Sequence, residues 1–185
     1  MGGNPQSVVR AAAYGFNLML AGLGMTPQRI AQYIDLFDRA LEQFGHPRPL
    51  IGLSLTGHLA DTDREARDQA WGPYFERMSK LSVERGFPVP TRASFEQSID
   101  HSLNLIGAAD TVRERVEDLA RTLEIDRIDF GMDTGGLPLE VKHRSIALLG
   151  TGVAAPLAGV PADSIGRTTE AAATHSAPVQ VAFLD

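Results

Sequence analysis

Residues 2–24 read Gly2-Gly3-Asn4-Pro5-Gln6-Ser7-Val8-Val9-Arg10-Ala11-Ala12-Ala13-Tyr14-Gly15-Phe16-Asn17-Leu18-Met19-Leu20-Ala21-Gly22-Leu23-Gly24, a turn, a helix, a strand and a second turn in succession. Two glycines, an Asn suited to an N-cap and a Pro at the first helical position are what a strand-to-helix turn needs. The strand that would feed this turn is not in the sequence, so the reading expects the chain to begin inside a fold. A glycine turn that opens a helix presents free N–H groups and a positive dipole end, the ordinary setting for an anion such as phosphate. The same turn serves equally as a helix cap that binds nothing. The run from Phe16 to Ala21 is almost continuously apolar, as in a strand buried on both faces of a parallel sheet.

The alternation continues outward from that stretch. Thr26 and Pro27 start a helix in which Ile30, Ile34, Phe37, Leu41 and Phe44 form one apolar stripe, and Gly45 ends it. Leu50 to Thr56 reads as the next strand, running out at Gly57-His58. Thr62 and Glu65 form a capping-box pattern for a helix that Gly72-Pro73 is expected to break or kink. Residues 87–106 read as an insertion in which Thr91 caps a short helix. Asp110 is placed as the cap of a helix carrying Val112, Val116, Leu119 and Leu123. Ile128, Phe130 and Met132 alternate as a strand before the loop Asp133-Thr134-Gly135-Gly136, and Pro138 opens a last helix that ends at Gly150. Residues 158–185 lack periodicity and read as a disordered tail, with only Val179–Leu184 apolar enough to pair with something. Strand, helix, strand, helix implies right-handed crossovers in a parallel sheet: an α/β fold of about three parallel strands with flanking helices. A complete eight-stranded barrel needs roughly 250 residues and does not fit in 185.

Composition narrows the function classes. The net charge of −6 and the interspersed charges speak against a nucleic-acid surface or a polybasic membrane patch. No cysteine is present, which removes disulfides, thiolate metal sites and cysteine nucleophiles. No signal-peptide pattern and no span-length apolar run stand in the sequence, which fits a cytoplasmic location. His46, His101, His143 and His175 show no metal-ligand spacing, and no metal is expected. Ser54, Ser79 and Ser145 lack a nucleophile-elbow setting. Trp71 beside Gly72-Pro73 reads as packing at a kink.

The ordered motifs resemble the C-terminal half of luciferase-like flavin-dependent monooxygenases. Gly-Gly-Asn-Pro-Gln-Ser with Val8–Ala12, the strand Leu18–Ala21, Leu59–Arg67, Pro90–Glu96, Gly107–Val112, and Gly136–Pro138 with Arg144–Thr151 carry the likeness, which covers about residues 2–157. It implies part of a (β/α)8 barrel, with residues 1–157 as its C-terminal half. It implies flavin mononucleotide as cofactor, or a deazaflavin in some branches, held at the C-terminal strand ends. Carried over residue by residue, Gly2, Gly3, Asn4 and Ser7 would take the flavin phosphate, with Asn4 where many members have Ser. Ala21 and Gly22 would line the isoalloxazine side. Gly152 departs from the usual Glu of the closing motif.

The resemblance implies oxidation of a small organic substrate by reduced flavin and oxygen, with the isolated chain inactive or very weak. No catalytic residue is named. His58, Asp133 and Thr134 stand at strand ends, where such folds place their sites. His58 reads first as a histidine on the surface or behind the site, and otherwise as a pocket hydrogen-bond donor or proton carrier. The alternative to an enzyme is a non-catalytic half-barrel that binds a phosphate ligand or a partner chain, since exposed sheet edges favour pairing. A homo-oligomer, or association with a missing N-terminal half, is expected on the same ground.

Overall fold

The computed structural model describes residues 4–86, 88–132, 135–158 and the backbone of 180–183. Five strands and seven α-helices follow one another in these residues. The first helix α1 (Pro5–Ala13) leads into β1 (Leu18–Ala21), and α2 (Pro27–Phe44) into β2 (Ile51–Leu59). Helices α3 (Asp63–Arg85) and α4 (Arg92–His101) precede the short β3 (Leu105–Gly107). Then come α5 (Ala109–Leu123), β4 (Arg127–Gly131), α6 (Leu139–Leu148), a π-helical turn over Leu149–Ala154, α7 (Ala155–Ala158) and β5 (Gln180–Phe183). All pairings are parallel, in the order β1-β2-β4-β5, with β3 added to the far end of β2. The sheet is open, so the architecture is part of a barrel and not a closed one.

Helix ends follow the caps written in the sequence. Asn4 Oδ1 accepts the Gln6 amide at 2.9 Å, Thr26 Oγ1 the Arg29 amide at 3.3 Å and Thr62 Oγ1 the Glu65 amide at 3.2 Å. Gly45 closes α2 in the left-handed region at φ 71°. Apolar stripes then decide the layers. Ile30, Phe37, Leu53, Ile128 and Phe130 are fully buried in one core between the sheet and the helices α1, α2 and α5. A smaller core of Ala66, Ala70, Phe95, Ile99 and Ile106 lies under α3 and α4.

Several sequence expectations change. The helix expected to break or kink at Gly72-Pro73 is continuous through Pro73. One proline removes one backbone bond, and packing of Trp71, Tyr74 and Phe95 around it holds the rest of the helix. Two further strands join the three readable ones: β3 in the stretch read as an insertion, and β5 within the residues read as a tail. Three residues cannot show a period, so β3 is defined by its partner, Gly57–Leu59. Asp110 sits in the first turn of α5 but does not cap it. The Asp63 carboxylate performs that task from 45 residues away, accepting the Ala108 amide at 2.6 Å and the Thr111 hydroxyl at 3.1 Å. The last helix does not stop at Gly150 but passes into the π turn. There a Cβ on Gly152 would stand 2.5 Å from Ala109 Cβ, so the crossing of this turn with α5 excludes the bulkier residue of the family motif.

Candidate functional site

Parallel register sorts the side chains of β1, β2 and β4 onto two faces. Leu18, Leu20, Leu53, Leu55, Ile128 and Phe130 face the helices and are buried. Met19, Ala21, Ser54, Thr56, Arg127 and Asp129 share the opposite, inner face, because partners in a parallel ladder point the same way. The Met19 methyl lies 2.7 Å from where a Cβ on Gly52 would stand, so Met19 lies across Gly52 on that face. Arg127 Nε donates to Asp129 Oδ1 at 2.5 Å. Met19 apart, the inner face thus carries small or polar residues, half-exposed except at Gly52 and Asp129, while the outer face is wholly apolar.

Two elements bring predicted residues to the C-terminal end of the sheet. Helix α1 starts there, since it leads away to β1, and β1 returns to end at Ala21. The α1 start has Asn4, Pro5 and Gln6 exposed and Ser7 half-buried. Its first turn carries no acidic residue, as in α2 and α4, whereas the first turns of α3, α5 and α6 do. The positive dipole end of α1 is therefore uncompensated. The Asn4 side-chain oxygen is committed to the Gln6 amide, which leaves its amide group and the Ser7 hydroxyl as donors for an anion. Gly2 and Gly3 lie outside the described residues, as do Asp133 and Thr134.

Ala21 is half-buried on the inner face beside Ser54. Gly22 has a different reason. A Cβ there would meet Leu55 Cδ2 at 2.4 Å and Leu103 Cδ1 at 3.1 Å, so the outer core requires this glycine. Its amide continues the ladder to the Ser54 carbonyl at 2.9 Å.

His58 lies inside β2 and not beyond its end, and only 2% of it is exposed. Alternation puts it on the side of Ser54 and Thr56, one step nearer the C-terminal end. Its Nε2 is 2.8 Å from Gln69 Oε1 on α3, and Gln69 Nε2 donates in turn to Glu65 Oε1 at 2.9 Å. Burial lowers its pKa below the ordinary histidine value, while the bond to Gln69 and the charge of Glu65 act in the other direction. His58 Nδ1 is buried and has no hydrogen-bond partner.

Helices α3 and α4 stand beyond the end of β2. Arg67 pairs with Glu96 at 2.7 Å and Asp100 at 2.8 Å; Arg92 pairs with Glu96 at 2.6 Å and Asp68 at 2.8 Å. Burial alone would raise the Glu96 pKa, but hydrogen bonds from both arginines hold it below the ordinary value. This clamp ties α3 to α4. Trp71 packs against Tyr74, Phe75 and Phe95 beneath it. Sequence reading missed the clamp, since nothing in the spacing of Arg67 and Arg92 names their partners. It also missed buried Ser145, whose hydroxyl accepts the Leu59 amide at 2.7 Å and fixes the end of β2 to α6.

A cleft of about 540 Å³ lies among the helices, between the start of α2, the end of α4 and the middle of α5. None of the predicted site residues lines it. Among the described residues no group of three or more His, Asp or Glu side chains could hold a metal ion. No helix among them is long and apolar enough to cross a membrane.

The family model described as luciferase-like monooxygenase matches residues 1–126, which include the helix-opening turn, Ala21, Gly22 and His58. The chain belongs to the luciferase-like monooxygenase family. Solved structures agree at the level of the fold. Monooxygenase RslO1 from Streptomyces bottropensis superposes with a TM-score of 0.69 at 21% identity, covering 83% of this chain and 45% of that one. Apo-MsnO8 gives 0.57 at 19% identity, covering 82% and 49%. Coenzyme F420 dependent tetrahydromethanopterin reductase from Methanopyrus kandleri gives 0.57 at 12% identity, covering 84% and 50%. The chain therefore spans about half the length of these structures. No curated protein sequence matches it. Within this luciferase-like chain, the candidate site residues lie on the inner face and at the C-terminal strand ends.

Proposed function

We propose that this chain supplies the phosphate-holding turn and one wall of the substrate pocket of a flavin-dependent monooxygenase that acts on a small organic substrate. The observation that carries the reading is the uncompensated start of α1, with the Asn4 amide and Ser7 hydroxyl as donors. Gly2, Gly3, Asn4 and Ser7 would hold the phosphate of flavin mononucleotide, or of a deazaflavin, and Ala21 and Gly22 would border the ring. The bound flavin supplies the oxygen chemistry; the chain positions it and keeps water away. The inner face suits this task, since Ala21, Ser54 and Thr56 are small enough to let a planar ring approach the strands.

The test is a fluorescence titration of the purified chain with flavin mononucleotide. Ser7→Ala is expected to weaken binding about tenfold, the loss of one hydrogen bond to a charged group. Equal affinity of wild type and Ser7→Ala would remove the phosphate assignment. The open sheet favours a second reading, in which the chain works only when another chain, either a copy of itself or an N-terminal half-barrel, pairs with its edge. Measurement of mass in solution separates the two, since a folded 19.9 kDa monomer that binds flavin needs no such partner.

A further inference from the structure

We infer that His58 is the ligand-facing hydrogen-bond acceptor of this site, taking an N–H or O–H of the bound molecule at Nδ1. The inference rests on the proposed flavin site and assigns a role within it. Three observations lead to it.

The first is the tautomer. Gln69 Nε2 donates to Glu65 Oε1, so the amide is oriented with Oε1 toward His58. A carbonyl oxygen only accepts, and so His58 Nε2 must carry the proton. In the neutral ring Nδ1 then bears a bare lone pair. A pocket donor, the role the sequence suggests for this histidine, is thereby excluded for the neutral form.

The second is the missing partner. Nδ1 is buried in a residue 2% exposed and receives no hydrogen bond. Buried polar atoms are nearly always paired; among the described residues His58 Nδ1, Arg77 Nε and Ser79 Oγ are not, and of the three only His58 stands on a strand of the sheet. By contrast, His46 Nε2 meets the Ala13 carbonyl at 3.2 Å.

The third is position. His58 follows Thr56 on the inner side of β2, at the end of the strand where barrel enzymes place their chemistry. Helix α3 covers it through Gln69. Pro73 has no N–H for the Gln69 carbonyl four residues earlier, so the turn of α3 that holds His58 lacks one backbone bond.

The donor is either the imide N–H of the flavin ring or a hydroxyl of the substrate. The test is nitrogen-15 NMR of the two His58 ring nitrogens in the full 185-residue chain, alone, with flavin mononucleotide, and with phenol as a neutral hydroxyl probe. Without ligand, Nε2 is expected to be protonated and Nδ1 bare. Saturation with one of the two probes is expected to move the Nδ1 resonance while Nε2 stays. Movement with flavin mononucleotide assigns the ring imide; movement with phenol alone assigns the substrate hydroxyl. His58→Phe is expected to weaken that probe's binding about three- to tenfold. Should His58→Phe not fold, Gln69→Leu keeps the imidazole and releases the tautomer, and the proton is then expected to distribute over both nitrogens. A protonated Nδ1 in the free protein, or a resonance that neither probe moves, overturns the inference. Failure of flavin mononucleotide to bind at all sinks the flavin reading instead, and the phenol arm still decides the role of His58.

Discussion

The two faces of one sheet carry opposite chemistry. On the helix side, Leu53, Leu55, Ile128 and Phe130 are sealed against α2 and α5. On the inner side, the neighbouring Ser54, Thr56, Arg127 and Asp129 are polar and all but Asp129 are half-exposed. A strand of a closed parallel sheet would bury both faces. The difference separates the face that makes this chain fold from the face that holds the proposed site: the buried apolar area lies on the outer face, and the polar groups on the inner face.

Substitutions on either side can break or sharpen this contrast. The largest effect is expected at Phe37, which fills the core between α2 and the sheet with no exposure. Phe37→Ala is expected to cost about 3–5 kcal/mol in a urea unfolding curve. A loss under about 1 kcal/mol would mean that the outer layer is not the main source of stability.

Gly22 tests the boundary of the two faces, because it ends β1 beside inner-facing Ala21 while its own Cβ direction points at Leu55. Gly22→Ala is expected to cost about 1–3 kcal/mol by overpacking, seen as a lower thermal midpoint. A neutral result would mean that Leu55 and Leu103 give way and that the core behind Gly22 is not tightly packed.

The next effect is in pH. The folded His58 pKa lies below its ordinary value because of burial, so the unfolded chain binds the proton first as pH falls. The number of protons bound by the unfolded state then exceeds that of the folded state, and stability rises with pH. The contribution is fully present above the ordinary histidine pKa of about 6.5 and declines as pH drops through that value toward the folded one. Urea midpoints between pH 5 and 8, as a rough range around that value, should show this slope, and His58→Phe should flatten it. An unchanged slope in His58→Phe would assign the pH dependence to other groups.

The smallest effect is expected at Thr56, half-exposed on the inner face. Thr56→Val should change stability by no more than about 0.5 kcal/mol, while Leu55→Ala, one residue earlier, should cost about 2–5 kcal/mol. Similar losses at the two positions would remove the distinction between the faces.

Much of the architecture was legible in the residues because its signals are local. Caps at Asn4, Thr26 and Thr62 and the apolar stripe of α2 act within one or two turns of chain, and they placed those helices correctly. A break at Pro73 did not follow because a single local cost was outweighed by the packing of Trp71 and Phe95. The short β3 and the cap supplied by Asp63 to Ala108 could not be read, since both depend on residues 45 or more positions apart. The family likeness marked Ala21 and Gly22 together; that a Cβ on Gly22 would run into Leu55 and Leu103 is a packing constraint the sequence does not show.

By itself, then, the sequence determined the alternation of helices and parallel strands, the ends of most helices and the family. Periodicity, capping and turn chemistry are properties of short segments and need no knowledge of the rest. Only the tertiary structure decided which strand face is open, that His58 is locked with its proton on Nε2, and that Gly22 answers to Leu55. Those facts arise from contacts between segments far apart in the chain, where no local propensity records the partner.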